Sequence, residues 1–167
     1  MKSDELRALQ APLKAKYKED PGAARITLKA AATLDAEKIT CVLNTPHGRL
    51  EAGLHPATGG DGASACSGDM LLEALAACAG VTLKSVATAF GVTLKKAVVR
   101  AEGDLDFRGT LGLAKDAPVG FEAIRLSFDL ESDATPEQLE KIVSVTERYC
   151  VVFQTLKSAP PITVSRP

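Results

Sequence analysis

The stretch SGDMLLEALAACAGVTL, residues 67–83, is rich in small and apolar side chains. Ser67 can cap a helix because its hydroxyl accepts a backbone N–H, and Asp69 falls in the first turn, where the helix dipole favours a negative charge. Apolar residues continue to Phe90, and the glycine after it is a common helix stop. The pattern predicts one long helix from about Asp69 to Phe90, behind a glycine- and serine-rich loop at 56–68.

Strand-like runs and short turns precede this helix. The runs are rich in β-branched and apolar residues and are bounded by turn residues, which is typical of strands. A polar helix is predicted ahead of them because Leu6, Leu9 and Leu13 fall on one side, although Pro12 lies inside it. We predict a helix at 4–18 and an antiparallel meander of strands at 25–34, 38–45 and 49–55.

Two strands and two helices are predicted after the long helix. Apolar and charged residues alternate through 97–107 and 123–131, with the period of half-buried strands. Thr135, Pro136 and Gln138 form a capping box with proline at the first helical position, which marks the start of a helix. The other predicted elements are the rest of that helix to Tyr149, a short helix at 151–157 and a last strand at 162–166. This order is that of an α+β domain.

The composition limits the class of protein and its partners. The chain has 167 residues, 46% of them apolar, and a net charge of −1, which gives no electrostatic case for nucleic acid or membrane surfaces. Aromatics make up only 4%, so a core of small side chains favours further burial against a partner subunit. The polar N-terminus has no secretory signal, and we expect a cytoplasmic protein with reduced thiols. We divide it into a helical extension at 1–22 and a domain at 23–167.

Four cysteines are the candidate reactive residues. Cys78 lies midway along the long helix, and Cys150 follows the capped helix. Each of them, taken alone, is typical of a cysteine that serves as a small hydrophobic residue in a core. Cys41 falls in a strand pattern and is predicted to be structural, whereas the role of Cys66, in the glycine-rich loop, stays open. With no C-x-x-C motif and only two histidines, the sequence predicts no metal site.

Two segments together resemble the OsmC-like family of organic hydroperoxide reductases. The first is the stretch at 67–83, with an acidic residue and a leucine-rich run that ends in Cys78. The second is RYCVVFQTL at 148–156, which contains Cys150. The resemblance implies an α+β fold with antiparallel strands wrapped around a long central helix, and a homodimer with interwoven sheets. It covers about residues 25–166.

The family resemblance also implies a chemistry. Cys78 would be the peroxidatic thiol, whose thiolate attacks the peroxide oxygen, and Cys150 would be the resolving thiol, which closes a disulfide. The substrate would be an organic hydroperoxide, and an external dithiol, such as a lipoyl group, would reduce the disulfide. No bound cofactor is implied.

The chain departs from the family pattern around this predicted site. The family polarises its thiol with an arginine paired with a carboxylate, and Asp69 takes the region of that carboxylate. The turn at 34–37, where the family has its arginine, contains none, so Arg49 and Arg148 are the candidate substitutes. Val151 replaces the proline that commonly follows the second cysteine.

These departures leave two alternatives to peroxide reduction. One is a dimeric binding protein of the same fold without peroxidase activity. The other is a thiol–disulfide exchange protein that acts on other thiols. Loss of two thiols on treatment with one equivalent of peroxide would separate the peroxidase from both.

Overall fold

The computed structural model describes residues 1–166. Within them the chain is α+β, with five α-helices and two sheets. It divides into two compact units, which are described separately. The sheet unit comprises residues 20–73 and 101–125, and the helical unit comprises the rest of the chain.

The helices are α1 (Ser3–Glu19), α2 (Ser67–Ala89), α3 (Phe107–Thr110), α4 (Pro136–Tyr149) and α5 (Val151–Lys157). The strands are β1 (Ala32–Leu34), β2 (Thr40–Thr45), β3 (Gly48–Gly53), β4 (Ala65–Cys66), β5 (Leu94–Asp104) and β6 (Ala123–Ser132).

The first sheet confirms the predicted meander. β1, β2 and β3 pair in antiparallel order, with Cys41 opposite Leu34 on one side and opposite Ala52 on the other. The sequence did not predict β4, which pairs in parallel with β3 through Ala52 and Ala65. This short strand leads directly into α2.

The first predicted strand is shorter than expected. Of the predicted 25–34, only 32–34 pair with β2. Ala32 lies opposite Leu43, and β2 ends only two residues later at Thr45, where the chain turns back into β3. Residues 25–29 therefore have no strand opposite them. After Arg25, they form no backbone hydrogen bond within the part of the chain that the structure describes.

The long helix is confirmed, and both of its ends lie close to the prediction. It starts two residues early, so Ser67 is its first residue rather than its N-cap. It ends at Ala89, and Gly91 adopts a left-handed φ of 70°, which lets the N–H of Val92 donate to the carbonyl of Ala87. Its length and hydropathy would also suit a membrane span, a property that apolar core helices share.

The second sheet consists of β5 and β6. The ammonium of Lys96 lies 3.0 Å from the carboxylate of Asp129, and at the other end of β5 the carbonyl of Asp104 accepts the N–H of Glu122 at 2.9 Å. The strands therefore run in opposite directions. β5 ends earlier than predicted because Asp106 accepts a backbone N–H and caps the short helix α3.

The core of the helical unit lies between α2 and α4. Leu83, Val86 and Ala87 on α2 pack with Ile142 on α4, and all four are buried. Partly buried residues that surround them are Val92, Leu94, Val99, Phe128, Leu130 and Val145. This contact fixes α4 against α2.

The remaining helices follow the sequence prediction, but the last strand does not. α1 is one continuous helix despite Pro12. The predicted capping box is present at α4, where Gln138 N–H donates to the Thr135 hydroxyl and the Gln138 side chain accepts the Thr135 N–H. The strand predicted at 162–166 is wrong, because these residues join neither sheet of the described chain.

Candidate functional site

Two helices of the helical unit bring Cys78 and Cys150 together. On α4 and just beyond it, Ile142, Thr146 and Cys150 recur every four residues, and all three are fully buried. Because Ile142 packs against α2 in the core, the same face carries Cys150 to α2. The two thiols are neighbours that influence each other's pKa, and both cysteines are free.

The chain breaks from α4 into α5 at Cys150, which has extended backbone angles of φ −73° and ψ 109°. Its N–H donates to the Thr146 carbonyl at 2.9 Å, and its carbonyl accepts the N–H of Gln154 at 3.0 Å. The Gln154 side chain donates to the Glu147 carbonyl at 2.8 Å. The first N–H groups of α5 have no carbonyl before them in the helix, and they act to lower the pKa of the two thiols.

The environment of Cys78 favours its thiolate. Burial by itself raises the pKa of the Cys78 thiol. Hydrogen bonds from the N–H of Val152, from the Cys150 thiol and from the N–H of Val151 outweigh burial, so the pKa of Cys78 lies below the ordinary value for cysteine. The Thr82 hydroxyl is also nearby, but its single proton is donated to the Cys78 carbonyl at 2.8 Å.

Cys150 is shifted in the opposite direction. Burial raises the pKa of Cys150, and the N–H groups of Phe153 and Val152 only partly offset it. The neighbouring Cys78 raises the pKa of Cys150 further, because a thiolate on Cys78 accepts the Cys150 proton as a hydrogen bond and repels a second negative charge. When one member of the pair ionises, the thiolate therefore forms on Cys78 and Cys150 keeps its proton.

Asp69 and Arg49, both predicted for the site, lie in the sheet unit. Asp69 is in the first turn of α2 and lines a cavity of about 350 Å³, which it shares with His55. Arg49 lies on β3 with an exposed side chain, 3.9 Å from the carboxylate of Glu51. The structure thus describes Asp69 and Arg49 only within the sheet unit, and their roles at the site stay predictions.

Arg148 lies in the helical unit, two residues before Cys150. Its guanidinium stacks on the neighbouring Tyr149, 5.5 Å from the ring centre, on an exposed part of α4. The main influences on the pKa of Cys78 are peptide and thiol hydrogen bonds and burial, and they include no guanidinium. Arg148 is thus near the cysteine pair in sequence without being one of the groups that set its ionisation.

The other two cysteines lie in the first sheet. Cys41 is on β2 and Cys66 is on β4, with β3 between them. Strands two apart are separated by about 9.5 Å, too far for a disulfide. Cys41 and Cys66 are therefore free, and neither pairs with the other.

The influence of the Val151, Val152 and Phe153 peptide N–H groups on the pKa of the two cysteines is a feature that sequence reasoning missed. A signal for them is present, because two consecutive helices meet at one residue, Cys150, and the second helix must begin with N–H groups that lack helical acceptors. The sequence does not say that two sulfur atoms occupy the space in front of them.

The comparisons with known proteins agree with this architecture. The family model of the OsmC-like protein matches residues 60–165. An OsmC-like protein from Mycoplasma pneumoniae has a similar structure, with a TM-score of 0.67 and 17% identity over 80% of this chain and 89% of that one. No protein of curated function matches the chain in sequence.

Two further solved structures carry names that refer to peroxide resistance. An organic hydroperoxide resistance protein OsmC from Legionella pneumophila has a TM-score of 0.61 and 15% identity over 80% of this chain and 93% of that one. An organic hydroperoxide resistance protein from Elizabethkingia anophelis has a TM-score of 0.59 and 12% identity over 81% and 92%. At this identity the structures support the fold, and the family model covers more than half of the chain. The chain therefore belongs to the OsmC-like protein family.

Proposed function

We propose that this chain is a thiol peroxidase that reduces organic hydroperoxides through Cys78 and Cys150. The observation that carries the proposal is that the α2–α4 packing makes the two cysteines neighbours, with the pKa of Cys78 lowered and that of Cys150 raised. One member of the pair is thereby prepared as a nucleophile and the other is kept as a proton-bearing thiol.

In the first step, the Cys78 thiolate attacks the terminal, hydroxyl oxygen of ROOH. A sulfur–oxygen bond forms, the O–O bond breaks, and the leaving alkoxide takes up a proton to give the alcohol ROH. Cys78 is then a sulfenic acid, and the peroxide has been reduced by two electrons. The Cys150 sulfur attacks the sulfenic sulfur, water is released, and a Cys78–Cys150 disulfide forms.

An external dithiol completes the cycle. Its thiolate attacks the Cys78–Cys150 disulfide, and its second thiol resolves the mixed disulfide, so both cysteines return to thiols and the dithiol becomes a disulfide. Cys150 is fully buried whereas Cys78 is partly exposed, which favours reaction at the Cys78 sulfur. A lipoyl group is the type of dithiol that we propose, and we place the reaction in the cytoplasm.

Apolar side chains around the pair suit an organic peroxide. Val81 lies one helical turn after Cys78 and is 73% exposed, and Val151 follows Cys150 and is 71% exposed. These side chains offer an alkyl or aryl group a surface that hydrogen peroxide cannot use.

Reduction of cumene hydroperoxide and of hydrogen peroxide, each with dihydrolipoamide as reductant, tests the proposed function. We expect turnover with both, and a kcat/KM at least about tenfold higher for the organic peroxide because its ring buries apolar surface on binding. Equal rates would contradict the substrate class. Fast reduction of a small disulfide with no loss of peroxide would favour the thiol–disulfide exchange protein instead.

We also propose that the chain is a homodimer whose sheets are completed by the partner. Residues 25–31 and 162–166 have strand-like sequences but join no sheet within the described chain. Their apolar side chains are strongly exposed, at 79% for Ile26, 85% for Leu28 and 85% for Ile162. Unpaired backbone and exposed apolar residues of this kind are what a second copy would cover.

Sedimentation equilibrium tests the homodimer. The unmodified chain is expected to sediment as a dimer at micromolar concentration. The double variant Leu28→Lys, Ile162→Lys should dissociate, with the Kd of the dimer raised more than about tenfold. The reason is that each lysine places a charge in an apolar contact that the proposed dimer buries. Ser158→Lys adds the same charge at an exposed polar position and should leave the dimer intact. A monomeric unmodified chain would contradict the proposal.

A further inference from the structure

The first helix, α1, carries an apolar stripe that stays open within the described chain. Leu6, Leu9 and Leu13 recur at intervals of three and four residues, which places them on one side of the helix. Leu6 is half-buried, whereas the side chains of Leu9 and Leu13 are 62% and 49% exposed. At the start of α1 the Ser3 hydroxyl donates to the carbonyl of Ala89, the last residue of α2, at 3.2 Å. The helix is thus attached near its start, and its apolar side remains uncovered farther along.

Two opposite charges flank this stripe at the two ends of the helix. Glu5 and Lys16 are eleven residues apart, which is about three whole turns, so both lie on the same side of the stripe. Both side chains are exposed, and neither belongs to an ion pair within the described chain. One carboxylate oxygen of Glu5 accepts the backbone N–H of Lys2 at 2.8 Å, which leaves the other oxygen open to a cation.

This arrangement is complementary to a second copy of itself in the antiparallel direction. In the register that places Leu9 opposite Leu13 of the partner subunit, Glu5 comes within one residue of Lys16 of the partner subunit. The two-fold symmetry of such a pair makes both contacts twice. A parallel pair would instead place each charge beside its own like charge, which is unfavourable.

We propose that α1 is a self-association surface that pairs antiparallel with α1 of a second copy of this chain. The leucines form the apolar seam of this pair, and Glu5 and Lys16 form an ion pair at each end of it. A lipid surface fits the stripe less well, because the flank that carries Lys16 also carries the anionic Glu5, whereas helices that lie on membranes are rich in cations there. The proposal does not depend on peroxidase activity.

Zero-length cross-linking of the unmodified chain with a carbodiimide tests the contact. Along one helix Glu5 and Lys16 are about 16 Å apart, too far for their side chains to form an amide bond, so a Glu5–Lys16 cross-link must join two chains. Unlabelled and nitrogen-15-labelled protein, mixed and left to exchange, should give this cross-link with one light and one heavy peptide. Lys96 and Asp129, which lie 3.0 Å apart in one chain, provide the internal positive control. Formation of the control cross-link without the Glu5–Lys16 cross-link would overturn the proposal.

Charge reversal tests the direction of the pair. Glu5→Lys and Lys16→Glu each place like charges across the seam, so each should weaken self-association several-fold in sedimentation equilibrium. The double variant exchanges the two charges and should restore association to within about twofold. The two positions are too far apart on one helix to compensate for each other within it, so such a rescue requires two chains. Single reversals without effect, or a double variant as weak as the single ones, would overturn the proposal.

The apolar seam has its own test. Leu9→Lys together with Leu13→Lys should abolish the Glu5–Lys16 cross-link, because each lysine places a charge in the seam. Ala11→Lys is the matched control, since it adds a lysine on the exposed side of α1 opposite the stripe, and it should leave the cross-link intact. A cross-link that survives the leucine substitutions would contradict the seam. None of these measurements uses a peroxide, so a protein that passes them and reduces no peroxide would contradict the proposed function alone.

Discussion

Cys78→Ser is expected to abolish peroxide turnover, with a loss on the order of 10⁴-fold in kcat/KM, as is typical when an enzyme loses its nucleophile. A serine hydroxyl remains protonated at neutral pH and forms no analogue of the sulfenic acid. Peroxide loss in the presence of dihydrolipoamide measures the effect. Residual activity within tenfold of the unmodified protein would place the chemistry on another residue.

Cys150→Ser should behave differently, because the first step does not require Cys150. We expect one equivalent of peroxide to be consumed, and a sulfenic acid on Cys78 to accumulate that dimedone can trap. Thiol counting should show the loss of one thiol, whereas the unmodified protein loses two. Dihydrolipoamide turnover should be slowed, since the sulfenic acid can then proceed to irreversible sulfinic acid.

Cys66→Ser is the matched control for both substitutions. It makes the same chemical change in a free cysteine on β4 of the first sheet. Turnover should stay within about twofold, because Cys66 takes no part in the proposed two-cysteine cycle. Loss of turnover in Cys66→Ser would mean that a third thiol takes part and would contradict a two-cysteine cycle.

The elements that the sequence predicted well are those with local signals. The capping box of Thr135 and Gln138 predicted the start of α4, and Gly91 predicted the stop of α2, because caps and stops depend on neighbouring residues. The two cysteines could be paired only through the family resemblance, since their distance in sequence says nothing about their distance in space. The structure supplies the contact through the α2–α4 packing.

The strand ends were predicted poorly for a physical reason. A strand pattern reports that residues suit a pleated, half-buried surface, but the strand itself exists only where another strand lies opposite. Residues 25–29 and 162–166 carry such patterns and find no partner within the described chain. The same information is missing for the thiolate donors, because peptide N–H groups are present at every residue and only the fold decides which of them face a sulfur.

Ile142→Ala is expected to weaken both the core and the site. Ile142 is fully buried against Leu83 and Val86, so truncation should lower the free energy of unfolding by about 2–5 kcal/mol, measured by urea denaturation of the reduced protein. Ile142→Val is the graded control, with an expected loss of about 0.5–1.5 kcal/mol. Equal losses of unfolding free energy in the two variants would show that the surrounding core relaxes to fill the space left by the alanine.

The effect on chemistry follows from the spacing along α4. Ile142 and Cys150 lie on one buried face, two turns apart, so the core contact of Ile142 holds Cys150 against Cys78. In Ile142→Ala, formation of the Cys78–Cys150 disulfide after one equivalent of peroxide should slow several-fold at a temperature where the variant is folded, because small losses of orientation cost reaction rate. Formation of the Cys78 sulfenic acid should change less. The peptide N–H groups of Val151 and Val152, which lower the pKa of Cys78, belong to the start of α5 and not to the truncated residue. If both steps slowed equally, the α2–α4 core would be setting the reactivity of Cys78 itself as well as its encounter with Cys150.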